Sequence, residues 1–532
     1  MSGIVKDVKD WDGSPVPILN ILDNPTHPNS TFFSTQHIMA TLSEKAPARR
    51  KPAARSKAKA IKDDKIPFYR QPEDLTLERW QAGLRKQFGK DSAFIMENLG
   101  EHSVFSDFNV RNPETKNTYR VAIRSLGDSG NFCSCMDFKT NRLGVCKHIG
   151  FVLDRLSKKR GYKGIIKKGF HQTHSSIYLD YRNGRKIRLS IGSENEAEFR
   201  QLAEKYFDAD LAILPESFPV FEKILEEARR LYEGFRCYDD ALEFVLAQRE
   251  MLRRNARLDQ IFPQGIESEA FDNLLKIKLY PYQKQGVLFA ARAGRCLLAD
   301  EMGLGKTVQA IAAAELFRKE FGAARVLVVC PTSLKYQWKS EIERFSDLTA
   351  HVVEGGLPSR KKQYRELGDF FTIAGYQTVA NDLHDLNALE FDLILLDEAQ
   401  RIKNWATKTS AAIKKLRSPH AIVLTGTPLE NKLEELYSIV QFIDQFRLGP
   451  LYSFLNRYLV KNENGKVVGF RHLKEISVSL ADLMLRRTKK QVLKELPKRQ
   501  DKTLLVPMTQ EQWAMHNGLK EEVAKLVAKW QR

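Results

Sequence analysis

Cysteine is scarce in this sequence. Six cysteines in 532 residues are too few for a disulfide framework. No run of 18 apolar residues occurs, and the N-terminus lacks the basic-then-apolar pattern of a signal peptide. These absences exclude a disulfide-stapled secreted scaffold and a helical membrane anchor. They point to an intracellular protein with no membrane partner, cytoplasmic or nucleoid-associated in a bacterium and nuclear in a eukaryote. Acidic residues are also short, with 66 Asp and Glu against 85 Lys and Arg, a formal charge of +19. That imbalance calls for an anionic partner, nucleic acid first among them, although charge alone does not name it. Hydrophobic residues make up 42%, enough for large cores in about two to four domains.

The clearest feature present is "ADEMGLGKTVQA", residues 299–310. A glycine loop binds phosphate when it joins a strand to a helix N-terminus. Here "CLLA" (296–299) reads as a strand and "TVQAIAAAELF" (307–317) as a helix. Gly303 and Gly305 would let backbone N–H groups approach the phosphates. Lys306 would reach the β and γ oxygens, and the Thr307 hydroxyl would ligate Mg²⁺. Asp300 stands where the strict pattern has its first glycine.

Such a loop needs a metal-holding carboxylate on a neighbouring strand, and "FDLILLDEAQ" (391–400) supplies one. Asp397 falls at the end of an apolar run, as at the C-terminal edge of a buried parallel strand, where ligands of open α/β sheets bind. It would hold Mg²⁺, directly or through water, and Glu398 would orient or deprotonate the attacking water. Three further strands, at 325–331, 370–376 and 420–428, each precede a helical pattern, which predicts βαβ units and a parallel sheet.

The series "PYQKQG" (281–286), "DEMGLGKT", "VVCPTSLKYQWKSEI", "DEAQRIKN", "LTGTPLEN" and "LRRTKKQVLKELP" (485–497) resembles the Swi/Snf-type ATPases of helicase superfamily two. The resemblance covers about residues 275–500. DEAD-box RNA unwinding enzymes fit less well, because they carry a Ser-Ala-Thr turn where this chain has "LTGTPLEN". The resemblance implies a first RecA-like lobe that binds ATP with Mg²⁺ and, with a second lobe, translocates along duplex DNA with little regard to sequence. It implies that Gln283 contacts adenine, and that Thr332, Tyr376 and the turn from Thr425 to Pro428 face the DNA or couple it to the nucleotide. Gln400 stands where many members of that family have His.

A second signal is "CSCMDFKTNRLGVCKH", residues 133–148. Cys133 and Cys135, at i and i+2, would point to one face of a strand. Cys146 and His148 would sit at the start of the helix "HIGFVLDRL". Three sulfurs and one imidazole complete a closed tetrahedral Zn²⁺ site. The C-x-C-x10-C-x-H spacing resembles the SWIM zinc finger, a module linked to nucleic-acid or protein binding. Cys237, Cys296 and Cys330 read as core. "IYLDYRNGRKIRLSIG" (177–192) reads as a hairpin turning at Asn183-Gly184. Its Arg182, Arg185, Lys186 and Arg188 would make either a phosphate-contacting ribbon or a solvated face.

The expected organisation is α/β. Residues 1–66 form a disordered N-terminus with nine Lys or Arg and two Asp between Lys45 and Lys65. A mixed α+β zinc-binding region follows at 67–195, then a helical connector at 196–268 and the RecA-like parallel-sheet lobe at 269–500. Residues 501–532 read as the truncated start of a second-lobe region, so MgATP binding is expected with little DNA-stimulated turnover. The functional expectation is an ATP-dependent DNA-translocating motor, and the alternative a non-catalytic nucleic-acid-binding or regulatory protein with a nucleotide-binding lobe.

Overall fold

The computed structural model describes residues 65–127, 130–182, 184–404, 407–426, 432–462, 466–492 and 506–530. The basic stretch ending at Lys65 lies outside them except for that last residue, and Asn183, Thr427 and Pro428 lie outside them too. Two compact units divide the chain after Arg487.

In the first unit, strands β1 (Ile95–Asn98), β2 (Asp107–Arg111), β3 (Thr118–Ala122) and β4 (Phe132–Cys133) form an antiparallel sheet in chain order. The helices Leu77–Asp91 and Lys147–Ser157 pack together closely. A Cβ at Gly150 would lie 2.8 Å from Lys86 Cα, and one at Gly89 would collide with the Lys147 carbonyl, so both glycines are required by the helix contact. The hairpin β5 (Ser176–Asp180) and β6 (Lys186–Ser190) is antiparallel, with Gly184 at φ +86° in its turn.

The stretch 196–268 differs from a connector made only of helices. Its strand β7 (Arg236–Cys237) pairs in parallel with β5. Phe199, Phe221, Phe235 and Val245 are buried in one core with the β1–β4 sheet, whereas Leu258 and Phe262 belong to the core of the following lobe. The signal lost was β7 itself, two residues long between helices.

The lobe is the expected parallel α/β sheet. Its strands are β8 (Arg295–Leu298), β9 (Val326–Cys330), β10 (Ala350–Val352), β11 (Phe371–Gly375), β12 (Leu393–Leu396), β13 (His420–Leu424) and β16 (Met484–Leu485). They lie in the order β10-β11-β9-β12-β13-β8-β16, every pairing parallel. Both faces are covered, which is why these strands are apolar runs without alternation. Separate hydrophobic clusters fill the two faces. The helix Lys306–Phe321 is buried along its middle because alanines there let it lie close to the sheet and to the helix Pro281–Ala293. A further hairpin, β14 (Leu459–Lys461) and β15 (Val467–Phe470), projects from the lobe's sequence between β13 and β16.

The second unit contains the helices Lys489–Val492 and Gln510–Trp530. Among its described residues Trp513, Leu519, Val523 and Leu526 are exposed. No helix among the described residues is long and apolar enough to cross a membrane.

Candidate functional site

The loop after β8 turns through two left-handed glycines, Gly303 at φ +84° and Gly305 at φ +67°, before the helix opens at Lys306. Glycine takes these angles without the cost a Cβ imposes. A Cβ at Gly305 would also meet Gln283 Nε2, so that the end of the Gln283 side chain would have to shift. Gln283 is thereby placed against the loop, its Oε1 accepting from Tyr280 N at 3.0 Å. Lys306 Nζ donates to the carbonyl of Asp300 at 2.8 Å and more distantly to that of Glu301. Thr307 follows in the first helical turn.

Two strands away, β12 delivers Asp397 to the same edge of the sheet. Trp338 Nε1 donates to Asp397 Oδ2 at 2.9 Å, and Glu398 N donates to Oδ1 at 2.9 Å. Burial pushes the Asp397 carboxyl above its ordinary value with Glu398 adding to the rise, while the Trp338 hydrogen bond and Lys306 oppose it. Glu398 sits at φ +51°, a left-handed angle that costs a residue with a Cβ. Its carboxylate accepts from Gln400 Nε2, and Gln400 Oε1 in turn accepts from Thr425 Oγ1 at 3.1 Å. The amide of Gln400 therefore bridges the turn after β12 to the turn after β13. Tyr376, buried, donates its hydroxyl to the Asp397 carbonyl at 2.6 Å, so it braces this turn from inside the protein. Thr332 is exposed.

Three supporting residues were not singled out by sequence reasoning: Trp338, Gln309 and Arg487. All lie in or beside the motifs quoted above, but only packing shows where their polar atoms go. Gln309 is fully buried and donates to Asp300 Oδ2 at 3.1 Å and to the Leu304 carbonyl at 3.2 Å.

The other cluster is Cys133, Cys135, Cys146 and His148, all buried, with their ligand atoms within 4.8 Å of one another. The route to that convergence differs from two thiols on one strand face. β4 ends at Cys133, and Cys135 is already the N-cap of the helix Met136–Asn141. Cys146 caps the next helix, and His148 lies in its first turn. Backbone N–H groups point at two of the sulfurs, from Phe138 to Cys135 Sγ at 3.4 Å and from Cys135 to Cys133 Sγ at 3.5 Å. The imidazole is stacked on Tyr119, ring centroids 4.3 Å apart, with Nδ1 facing the sulfurs at 3.6 Å and 3.9 Å. Burial holds all three thiols well above their ordinary range, so without a cation they stay protonated. Four soft or borderline donors within reach of one point fit a tetrahedral metal ion.

The arginines of the β5–β6 hairpin are engaged within the protein. Arg182 and Arg188 pair with Asp180, each at 3.2 Å, and Arg185 pairs with Asp444 at 3.1 Å. The Arg185 guanidinium also lies over the Phe446 ring, 4.4 Å from its centroid. Arg142 donates to the Phe446 carbonyl at 3.3 Å, and Tyr452 donates to the Asn141 carbonyl at 2.9 Å. The segment between Cys135 and Cys146 is thus seated on the lobe.

Residues 240–531 match the model of the SNF2-related domain. The chain belongs to the SNF2-related family. Among its relatives, YwqA of Bacillus subtilis is 34% identical over 301 residues, covering 52% of this chain and 31% of that protein. The mouse DNA annealing helicase and endonuclease ZRANB3 is 33% identical over 237 residues, or 42% of this chain and 22% of that protein. The human DNA repair and recombination protein RAD54B is 31% identical over 347 residues, or 60% and 37%. The chain spans about a third or less of these relatives' lengths. A solved Sulfolobus solfataricus SWI2/SNF2 ATPase core in complex with dsDNA is 32% identical, with 48% of this chain and 54% of that chain covered at a TM-score of 0.37. The SNF2-related match begins in the helix Asp239–Ile261, and the buried cysteine and histidine cluster lies wholly N-terminal to it.

Proposed function

We propose that the SNF2-related lobe binds MgATP and that the protein carrying it is an ATPase that moves along duplex DNA. The observation that carries the reading is the meeting of Lys306 and the Asp397–Glu398 pair at one edge of a single parallel sheet. In this reading Lys306 leaves the loop carbonyls for the β and γ oxygens, and the N–H groups around Gly303 and Gly305 surround them. Thr307 and Asp397 hold Mg²⁺, which neutralises the charge that develops on the transferred phosphoryl group. Glu398 positions the attacking water, and its bond to Gln400 reports the state of that carboxylate to Thr425. Gln283, beside the loop, is the adenine contact.

DNA enters this reading through two relatives, a DNA annealing helicase and a DNA repair protein, together with the +19 charge. Phosphate contacts make the binding insensitive to sequence and steeply sensitive to salt. The Cys133, Cys135, Cys146 and His148 cluster holds Zn²⁺ as a structural ion, and its module offers a protein partner an attachment point. The experiment is nucleotide binding by fluorescent MgATP analogue. The chain binds it, Lys306→Ala abolishes binding, and Glu398→Gln keeps binding while removing DNA-stimulated turnover from the protein that carries the lobe. A chain that binds no MgATP would instead be a regulatory nucleic-acid-binding protein.

A further inference from the structure

The segment Leu483–Arg487 is the part of the quoted motifs to which the proposed chemistry gives no task. It is not merely an edge strand. Leu297 N donates to the Leu483 carbonyl and Ala299 N to the Leu485 carbonyl, both at 2.7 Å, and Glu301 N donates to the Arg487 carbonyl at 2.9 Å. The ladder that begins on β8 therefore runs past the end of the strand and into the phosphate loop.

At its end Arg487 meets Asp300, the residue that replaces the first glycine of the strict loop pattern. The Asp300 side chain has no exposed surface. Its Oδ1 accepts from Arg487 N at 3.1 Å and Arg487 Nε at 3.0 Å, while Oδ2 accepts from Arg487 Nη2 and from Gln309. Arg487 Nη2 also donates to Gln309 Oε1 at 3.0 Å, and Nη1 donates to the Tyr282 carbonyl. One guanidinium thus joins the phosphate loop, the helix that follows it and the helix that carries Gln283. A buried carboxylate without such a fork would be strongly destabilising.

The peptide group between Asp300 and Glu301 makes the arrangement directional. Its carbonyl accepts the Lys306 ammonium, and its N–H is held by the Arg487 carbonyl. Because a peptide unit is planar and rigid, withdrawing Lys306 from one end acts on the bond at the other. We propose that Asp300 and Arg487 are positioning residues for the nucleotide. Segment Leu483–Arg487 is the strap through which phosphate binding is felt by the chain that continues from Thr488. This rests on the reading that phosphates draw Lys306 off the loop carbonyls.

The test uses the 532-residue chain. MgATP affinity, thermal midpoint and hydrogen exchange over 483–487 with and without MgATP are measured for wild type, Arg487→Lys, Asp300→Asn and the double variant. Arg487→Lys keeps the charge and loses the fork, and stands in should a harsher variant fail to fold. Expected are an affinity loss of about tenfold in each folded single variant, a double variant no worse than either single, and a MgATP-induced change in exchange at 483–487 that the variants lack. A pair that only stabilises the fold would lower the thermal midpoint and leave the affinity of the folded protein unchanged. Unchanged affinity in Arg487→Lys, with exchange at 483–487 indifferent to MgATP, overturns the proposal. Failure of wild type itself to bind MgATP would instead overturn the nucleotide reading.

Discussion

The two candidate sites are built in opposite ways. The metal donors all come from one short stretch, Cys133 to His148, and converge through two helix caps and a strand end. The candidate nucleotide site gathers residues from Gln283 to Arg487, across strands β8, β12 and β13 and the edge strand β16. A site made locally depends on its ion to hold four buried donors together. A site made across a sheet is held by the fold, and by residues such as Trp338 that need not touch the ligand. Removing one donor should therefore collapse the first kind of site, whereas removing a supporting residue that does not touch the nucleotide should only detune the second.

The largest effect expected is from Cys146→Ser. Structural zinc contributes folding free energy outright, of order 10 kcal/mol in small zinc modules. Elemental analysis should give one zinc per wild-type chain and none in the variant, with residues of about 115–160 opened to protease. The nucleotide lobe has separate hydrophobic clusters, so it should still bind MgATP. A variant that keeps its zinc, or a wild type purified without chelator and without metal, would break the contrast.

Next in size is Trp338→Phe. It deletes the 2.9 Å hydrogen bond to Asp397 while leaving the ring to pack. A bond to a charged group contributes about 1.5–3 kcal/mol, so MgATP affinity should fall by roughly tenfold or more. The sign of the pH effect follows from the same bond. Burial raises the Asp397 pKa and Trp338 opposes that, so the variant's carboxyl protonates at a higher pH. Mg²⁺-dependent binding, which needs the carboxylate, should then fade at a higher pH than in wild type when pH is lowered. An unmoved midpoint would show that Asp397 does not face the metal.

What was legible in the sequence follows the same division. The strands at 326–330, 371–375 and 393–396 were readable because burial on both faces leaves uninterrupted apolar runs. The turn at Gly303 and Gly305 and the convergence of the cysteines with His148 were readable because each is set by residues close in sequence. Trp338, Gln309 and Arg487 were not, because a hydrogen bond between residues 59 or 187 positions apart has no periodicity. The β5–β6 hairpin left two readings open. Its arginines suit either a phosphate-contacting ribbon or a solvated face, and sequence alone could not show that Arg185 pairs with Asp444 and lies over Phe446.

That seam supplies the third prediction. Phe446→Ala removes the ring that lies under Arg185 and packs at a tilt against Tyr181, centroids 5.9 Å apart. The cost should be about 2 kcal/mol, below that of a fully buried Phe. Zinc content should stay at one per chain, since no donor is touched, and denaturant unfolding followed by Trp fluorescence should show the loss. A loss of zinc in this variant would mean that the metal site is not local after all.

The smallest effect concerns Lys414, a cation within the lobe whose hydrogen-bond acceptors are neutral. Its ammonium donates to Ser438 Oγ at 2.8 Å and Gln441 Oε1 at 2.9 Å, and burial lowers its pKa from 10.5 to about 7. The unfolded chain keeps the ordinary value, so between about pH 7 and pH 10.5 it binds more protons than the folded one. Stability should then rise with pH across that window, and the full penalty for the charge is present below pH 7. Lys414→Met removes the titrating group, retains the length of the stem and leaves the Ser438 hydroxyl its bond to the Ile402 carbonyl. The expected result is a thermal midpoint about 2–4 °C higher at pH 7 and a flatter profile up to pH 10, read by calorimetry at several pH values. Neither the zinc content nor the MgATP affinity should move, because this lysine serves the lobe's packing and no site. A variant less stable than wild type at pH 7 would show that the two hydrogen bonds outweigh the buried charge.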